Sequence, residues 1–144
     1  MDAEDLLFDL AWKEIEATYK YIETIDTKAQ MMIIVISVVL PLLISNVQNI
    51  HPIIYLILII SFGLAFLAAI EYIDKLDDHL DEMIKFVDRG YSSQTKRELT
   101  IKIREISKNL RNIREKKLKL YAGSVTLFFG AFIFLFFEIS HIFS

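Results

Sequence analysis

The chain has 144 residues, 54% of them hydrophobic, with a mean hydropathy of +0.42, a formal net charge of −3 and no cysteine. The length suits one domain, and the missing cysteines exclude disulfides, thiol nucleophiles and cysteine-held metals. Charge is segregated: no Asp, Glu, Lys or Arg lies between Lys28 and Glu71, or between Lys119 and Glu138. Helices of a soluble domain keep a polar face, whereas charge-free runs of this length match the roughly 20 residues that cross a bilayer.

In residues 1–28, Phe8, Trp12, Ile15, Tyr19 and Ile22 recur at spacings of four and three, which predicts an amphipathic helix with those residues as its apolar seam. This segment carries eight acids against three bases, the reverse of a secretory signal's basic start, so no signal is expected. No Gly or Pro interrupts the run from Asp2 to Leu40, so the helix is expected to enter the first span without a break. Asp26 extends the seam, where an acid needs a partner because burying an unpaired charge is costly. Lys28, or a base near Lys117, is placed to supply one. Asp26 and Lys28 are therefore candidates for coupling at the membrane entrance, beside the plainer reading of a charge pair that sets span depth.

Span one is expected at 29–45, with a bend at Pro41. A turn follows in Ser45-Asn46-Val47-Gln48-Asn49-Ile50-His51-Pro52, and Pro52 suits a first helical turn. Span two is expected at 52–70, with Ser61, Ala65 and Ala69 four apart. Beyond it, Ile73, Leu76, Leu80, Met83 and Val87 form a second seam among seven acids and two bases over 71–88, and Gly90 offers a helix end.

Ser92 and Ser93 are candidate N-caps for the next helix, and Thr95-x-x-Glu98 a candidate capping box. Its seam is Leu99, Ile103, Ile106, Leu110 and Ile113, interrupted by Lys117 and resumed at Leu120. Residues 89–119 hold eleven bases and three acids. Arg97, Arg104 and Arg111 are seven apart and so share a face, with Lys108 and Arg114 beside them. Guanidinium forks match phosphate oxygens, which makes these five candidates for a phosphate or cyclic-nucleotide contact. Two alternatives stand beside that: pairing with the acidic helix, and attraction to anionic lipid near Lys116, Lys117 and Lys119. Span three, 120–137, repeats small residues at Ala122, Thr126 and Gly130, a pattern that lets helices approach closely within or between chains. Its six phenylalanines read as lipid-facing or subunit-packing.

The expected fold is an all-α integral membrane protein with three transmembrane helices and a cytoplasmic helical stalk. Its parts are an amphipathic cytoplasmic helix (1–28), a transmembrane helix pair (29–70), a charged cytoplasmic hairpin (71–119), and a third span with a short external tail (120–144). All 16 Lys and Arg lie in 1–28 and 71–119. By the positive-inside bias the N-terminus is cytoplasmic and the C-terminus external. His51, His79 and His141 are dispersed, no Gly-rich phosphate loop occurs, and no charge lies mid-span. No metal site, cofactor or catalytic constellation is expected, and the protein is read as not an enzyme. Expected partners are membrane lipids and further copies of the chain, with a cyclic nucleotide as candidate ligand and no nucleic-acid polymer.

An aromatic-seamed helix leading into Asp26-x-Lys28-Ala29, a tight span pair, a charged hairpin and a final span resembles the Pycsar transmembrane effectors, small membrane proteins of bacterial antiphage cyclic-nucleotide signalling. The resemblance covers most of the chain; Asp26, Lys28 and Ala29 are its matching positions. It implies an effector that a nucleotide second messenger triggers to oligomerise and disrupt the inner membrane. The alternative is a non-catalytic adaptor that docks a soluble partner on the charged stalk.

Overall fold

The stretches 3–40 and 93–122, which hold no Gly or Pro, each lie within one long helix. The computed structural model describes residues 3–46, 50–70 and 93–142, and shows α1 (Ala3–Asn46), α2 (Pro52–Ile70) and α3 (Ser93–Ile142). The described residues contain no strand. Each helix includes a stretch long and apolar enough to cross a membrane. The protein is an all-α membrane protein, because a helix satisfies its own backbone polar groups where no water can. The seam from Ile73 to Val87, the helix end at Gly90, the cap at Ser92 and the acids of 71–88 lie outside the described residues.

As expected, α1 enters its apolar stretch unbroken, and α2 begins at Pro52. Pro41 sits inside α1, which nonetheless continues to Asn46. One local expectation fails. α3 already begins at Ser93, so Thr95 lies inside it and cannot cap its start.

The chain forms two compact units, one of Met1–Glu23 with Glu71–Glu115 and the other of Thr24–Ile70 with Lys116–Ser144. α1 and α3 contribute to both. In the first unit, Ile15 and Ile22 of α1 pack with Leu99, Ile103 and Leu110 of α3, supported by Phe8, Ala11, Ile106 and Ile113. The α3 seam is the expected one. That of α1 is shifted: Trp12 and Tyr19 are 39% and 40% exposed, while Ala11 and Thr18 take the inward positions. The inward residues, partly buried Phe8 and Ala11 and buried Ile15, Thr18 and Ile22, alternate spacings of three and four, a heptad pattern. Small residues at two of these positions let the helix axes approach, and an indole or phenol there would hold them apart. Thr18 can be buried because its hydroxyl donates to the Glu14 carbonyl at 2.8 Å.

In the second unit the same rhythm continues along α1 through Ile25, Ala29, Met32, Ile36, Val39 and Leu43. Ile36 packs with Ile54 and Leu58 of α2 and with Phe128, Ala131 and Leu135 of α3. Ala29 meets Ala68 and Ala69, with Leu120 and Tyr121 beside them. Along these contacts α1 and α3 run in the same direction and α2 runs against both. Lipid tails are as apolar as leucine, so nothing squeezes these helices together; close approach at small residues and hydrogen bonds hold them.

Candidate functional site at the membrane entrance

The feature with most chemical content lies where the charged stretches give way to the apolar ones. Lys117 occupies a core-facing position of α3, four residues after Ile113 and three before Leu120, and is 1% exposed. Its ammonium donates to Oδ1 of Asp26 at 2.5 Å, and the Asp26 side chain is 16% exposed. The pair ties α1 to α3 one turn before Ala29 meets Ala68 and Ala69. Asp26 sits beside the α1 seam rather than on it, since Ile25 and Ala29 hold the buried positions. Its partner is the distant Lys117 and not the nearby Lys28, which is exposed.

Such a pair is neutral as a whole and costly to break. Removing one partner leaves an uncompensated charge out of water, a loss of about 3–5 kcal/mol. Lys117 is thereby withdrawn from lipid headgroups, which corrects its expected role in attracting anionic lipid. Lys116 and Lys119, the other two bases of that group, are exposed. No buried side-chain nitrogen or oxygen among the described residues lacks a hydrogen-bond partner.

Deeper in the second unit, Ser61 of α2 and Ser124 of α3 exchange hydrogen bonds. Each hydroxyl donates to the other residue's backbone carbonyl at 2.8 Å, and the two hydroxyl oxygens are 3.2 Å apart. Both residues are fully buried. Ser61, Ala65 and Ala69 therefore form a stripe spent on packing within the chain. The second stripe differs: Ala122 and Thr126 are exposed, and the Thr126 hydroxyl donates back to the Ala122 carbonyl at 2.9 Å. A methyl group added at Gly130 would meet no side chain within 4 Å. Phe128 belongs to the core, whereas Phe129, Phe132, Phe134, Phe136 and Phe137 are exposed.

At the opposite end of the second unit, His51 immediately precedes α2. Its Nδ1 accepts from the Ile53 N–H at 3.4 Å, and its own backbone N–H donates to Glu138 Oε2 at 3.2 Å. Together these satisfy two of the donors a helix start leaves free.

The five basic candidates are not brought to one empty cradle. Arg111 donates to Glu14 of α1. The Arg114 guanidinium lies 5.6 Å from the Tyr21 ring centroid, a cation–π contact. Arg104 and Lys108 are exposed, and the side chain of Arg97 lies outside the described ones. Sequence reasoning did not assign Glu14, although it is one of the acids of a segment five charges acidic facing a basic helix. Ser124 was missed too; its signal is a second hydroxyl in an apolar span. Among the described residues no group of three His, Asp or Glu is placed to hold a metal ion. Comparison of the chain with protein-family models, with curated proteins and with solved structures finds no match.

Proposed function

We propose that this chain is a non-catalytic membrane effector that self-associates in the bacterial inner membrane and permeabilises it. Its charged helical segments face the cytoplasm and its C-terminus is external. The observation that carries the self-association is the contrast between the two small-residue stripes. One is consumed inside the chain, while Ala122, Thr126 and Gly130 face outward beside exposed phenylalanines. Three packed spans enclose no water path, so permeabilisation requires several copies. The positive-inside bias supports the orientation. The trigger, a nucleotide second messenger of antiphage defence, follows from the resemblance to the Pycsar transmembrane effectors. Arg111 and Arg114 are engaged by Glu14 and Tyr21, which leaves Arg104 and Lys108 as the better candidates for a phosphate contact. The buried Asp26–Lys117 pair is suited to couple a change in the charged helices to the spans, because it joins α1 to α3 at the start of the apolar stretches.

Induced expression with a membrane-potential dye, with and without individual cyclic nucleotides, tests this reading. Depolarisation under one nucleotide is the expected result. Ala122→Leu/Gly130→Leu should abolish it while leaving protein level and helicity unchanged. An intact potential under every trigger would remove the effector reading. It would favour a non-catalytic adaptor that docks a soluble partner, for which the exposed Leu6, Leu7 and Leu10 are the supporting observation.

A further inference from the structure

The second unit carries polar groups on α1 that its own packing does not use. Gln30 and Ser37 are exposed, although both follow Lys28, the last charge before the apolar stretch. The Gln30 amide makes no hydrogen bond among the described residues. The Ser37 hydroxyl turns back to the Ile33 carbonyl at 2.7 Å. Pro41, also exposed, has no N–H, so the Ser37 carbonyl four residues earlier lacks its helical donor. No side chain of another helix among the described residues supplies one. Ser37 lies nine residues past Lys28, about 14 Å along the helix. That is near the middle of a hydrocarbon core about 30 Å thick. Polar groups turned to lipid at such a depth are costly; they belong against protein or a water-filled cavity.

These groups are aligned. Gln30, Ile34, Ser37, Pro41 and Ile44 are separated by four, three, four and three residues, and all five are exposed. At 100° per residue they fall within about 80° of the circumference of α1, centred about 120° from Ile36 and Leu43, which pack on α2 and α3. The other exposed flank of α1 carries Met31, Val35 and Leu42, all apolar, as contact with lipid requires. Water satisfies an amide, a hydroxyl and a bare carbonyl together without needing a matched protein surface. Copies related by rotation in one membrane share a direction, so one such line from each can face a common axis. Rings of Gln30 and Ser37 then offer donors and acceptors to water. Rings of Ile34 and Ile44 alternate with them as apolar constrictions, which close a narrow path by expelling water.

We propose that the Gln30–Ser37 edge of α1 lines the aqueous path of the assembled protein. The proposal rests on the permeabilisation stated above and names the surface that meets water. The absence of native cysteine makes the test direct. A thiol reacts as its thiolate, which forms in water and is suppressed in apolar surroundings. Full-length Gln30→Cys and Ser37→Cys, with Met31→Cys, Val35→Cys and Leu42→Cys as controls, are expressed in the cell membrane. They are treated with a water-soluble cationic methanethiosulfonate while the membrane-potential dye is read under each cyclic nucleotide. Particle mass is measured in parallel in nanodiscs, for the wild type and for Gln30→Leu/Ser37→Leu.

Labelling of Gln30→Cys and Ser37→Cys several-fold faster than of the three controls is the expected result, and the label on Ser37→Cys should block depolarisation. Gln30→Leu/Ser37→Leu should keep the multi-copy mass and lose depolarisation, which separates a lining role from an assembly role. Depolarisation with Ser37→Cys labelled no faster than Val35→Cys would overturn the lining while leaving the effector reading intact. Disulfides between Ser37→Cys copies without labelling would overturn it too, and would make this edge a dry contact between helices. Fast labelling of Ser37→Cys with an intact potential under every nucleotide would keep the edge on water and remove the effector reading. Slow labelling with an intact potential would overturn both.

Discussion

An ammonium group leaves water only with an acceptor at hand, and Lys117 has one in Asp26. Either Asp26→Asn or Lys117→Met should lower stability by about 3–5 kcal/mol in equilibrium unfolding in mild detergent. The double variant Asp26→Leu/Lys117→Met should recover most of that loss, because no charge is then stranded. Losses below about 1 kcal/mol in both single variants would mean that water reaches the pair. The serine exchange is a smaller effect. Hydrogen bonds between spans average about 0.6 kcal/mol and reach about 1.7. Ser61→Ala and Ser124→Ala should therefore show a coupling of that size in a double-mutant cycle, since each hydroxyl bonds the other residue's carbonyl.

At the scale of the helix, the buried face of α1 is set by size as well as spacing. Phe8-Trp12-Ile15-Tyr19-Ile22 and Phe8-Ala11-Ile15-Thr18-Ile22 fit a helical stripe about equally well. The helix turns Ala11 and Thr18 inward because α3 presents branched side chains at Leu99, Ile103 and Leu110, and these fill the space that small residues leave. Ile15→Ala should therefore cost about 2–5 kcal/mol. Trp12→Ala and Tyr19→Ala should stay within about 0.5 kcal/mol, as exposed substitutions do. Thermal denaturation followed by circular dichroism separates these outcomes, and a Trp12 loss above 2 kcal/mol would restore the aromatic seam. The same helix explains the modest weight of the Arg111–Glu14 pair, since both side chains are about half exposed. Exposed pairs contribute about 0–1 kcal/mol and serve to select pairing rather than to hold the fold.

For the whole molecule, the two small-residue stripes predict opposite responses to bulk. Ser61→Leu should disrupt the packing of α2 on α3, because the residue is fully buried against Ser124. Gly130→Leu should leave the single chain folded, with nothing nearby to strike, and should act on assembly alone. Size-exclusion chromatography in mild detergent with limited proteolysis distinguishes the two. If Gly130→Leu unfolds the chain as Ser61→Leu does, the outward stripe is not free for a second copy. Topology is tested separately. A reporter active only outside the cytoplasm should work when fused after Ser144, and a cytoplasmic reporter at the N-terminus should work too, given the confinement of all 16 Lys and Arg to 1–28 and 71–119. Activity of a cytoplasm-only reporter after Ser144 would reverse the orientation.

Helix type and number were legible in the residues, because the bilayer imposes a one-dimensional rule. The charge-free runs after Lys28 and Lys119 are long enough for spans, backbone groups in lipid must bond within their own segment, and Pro52 can start a helix but not sit undisturbed within one. The need of Asp26 for a basic partner was legible for the same reason, since a charge at that depth cannot stand alone, but the choice of Lys117 over Lys28 was made by the tertiary structure. The inward-facing side of α1, the choice of Glu14 as partner for Arg111, and the division of labour between the stripes were decided by tertiary structure. Each depends on which helix lies opposite and at what level, and spacing along one helix carries no information about either. Ser61-Ala65-Ala69 and Ala122-Thr126-Gly130 both place small residues four apart. They part company only because Ser124, two residues from Ala122 and so turned well away from it around α3, meets Ser61 and directs the other stripe outward.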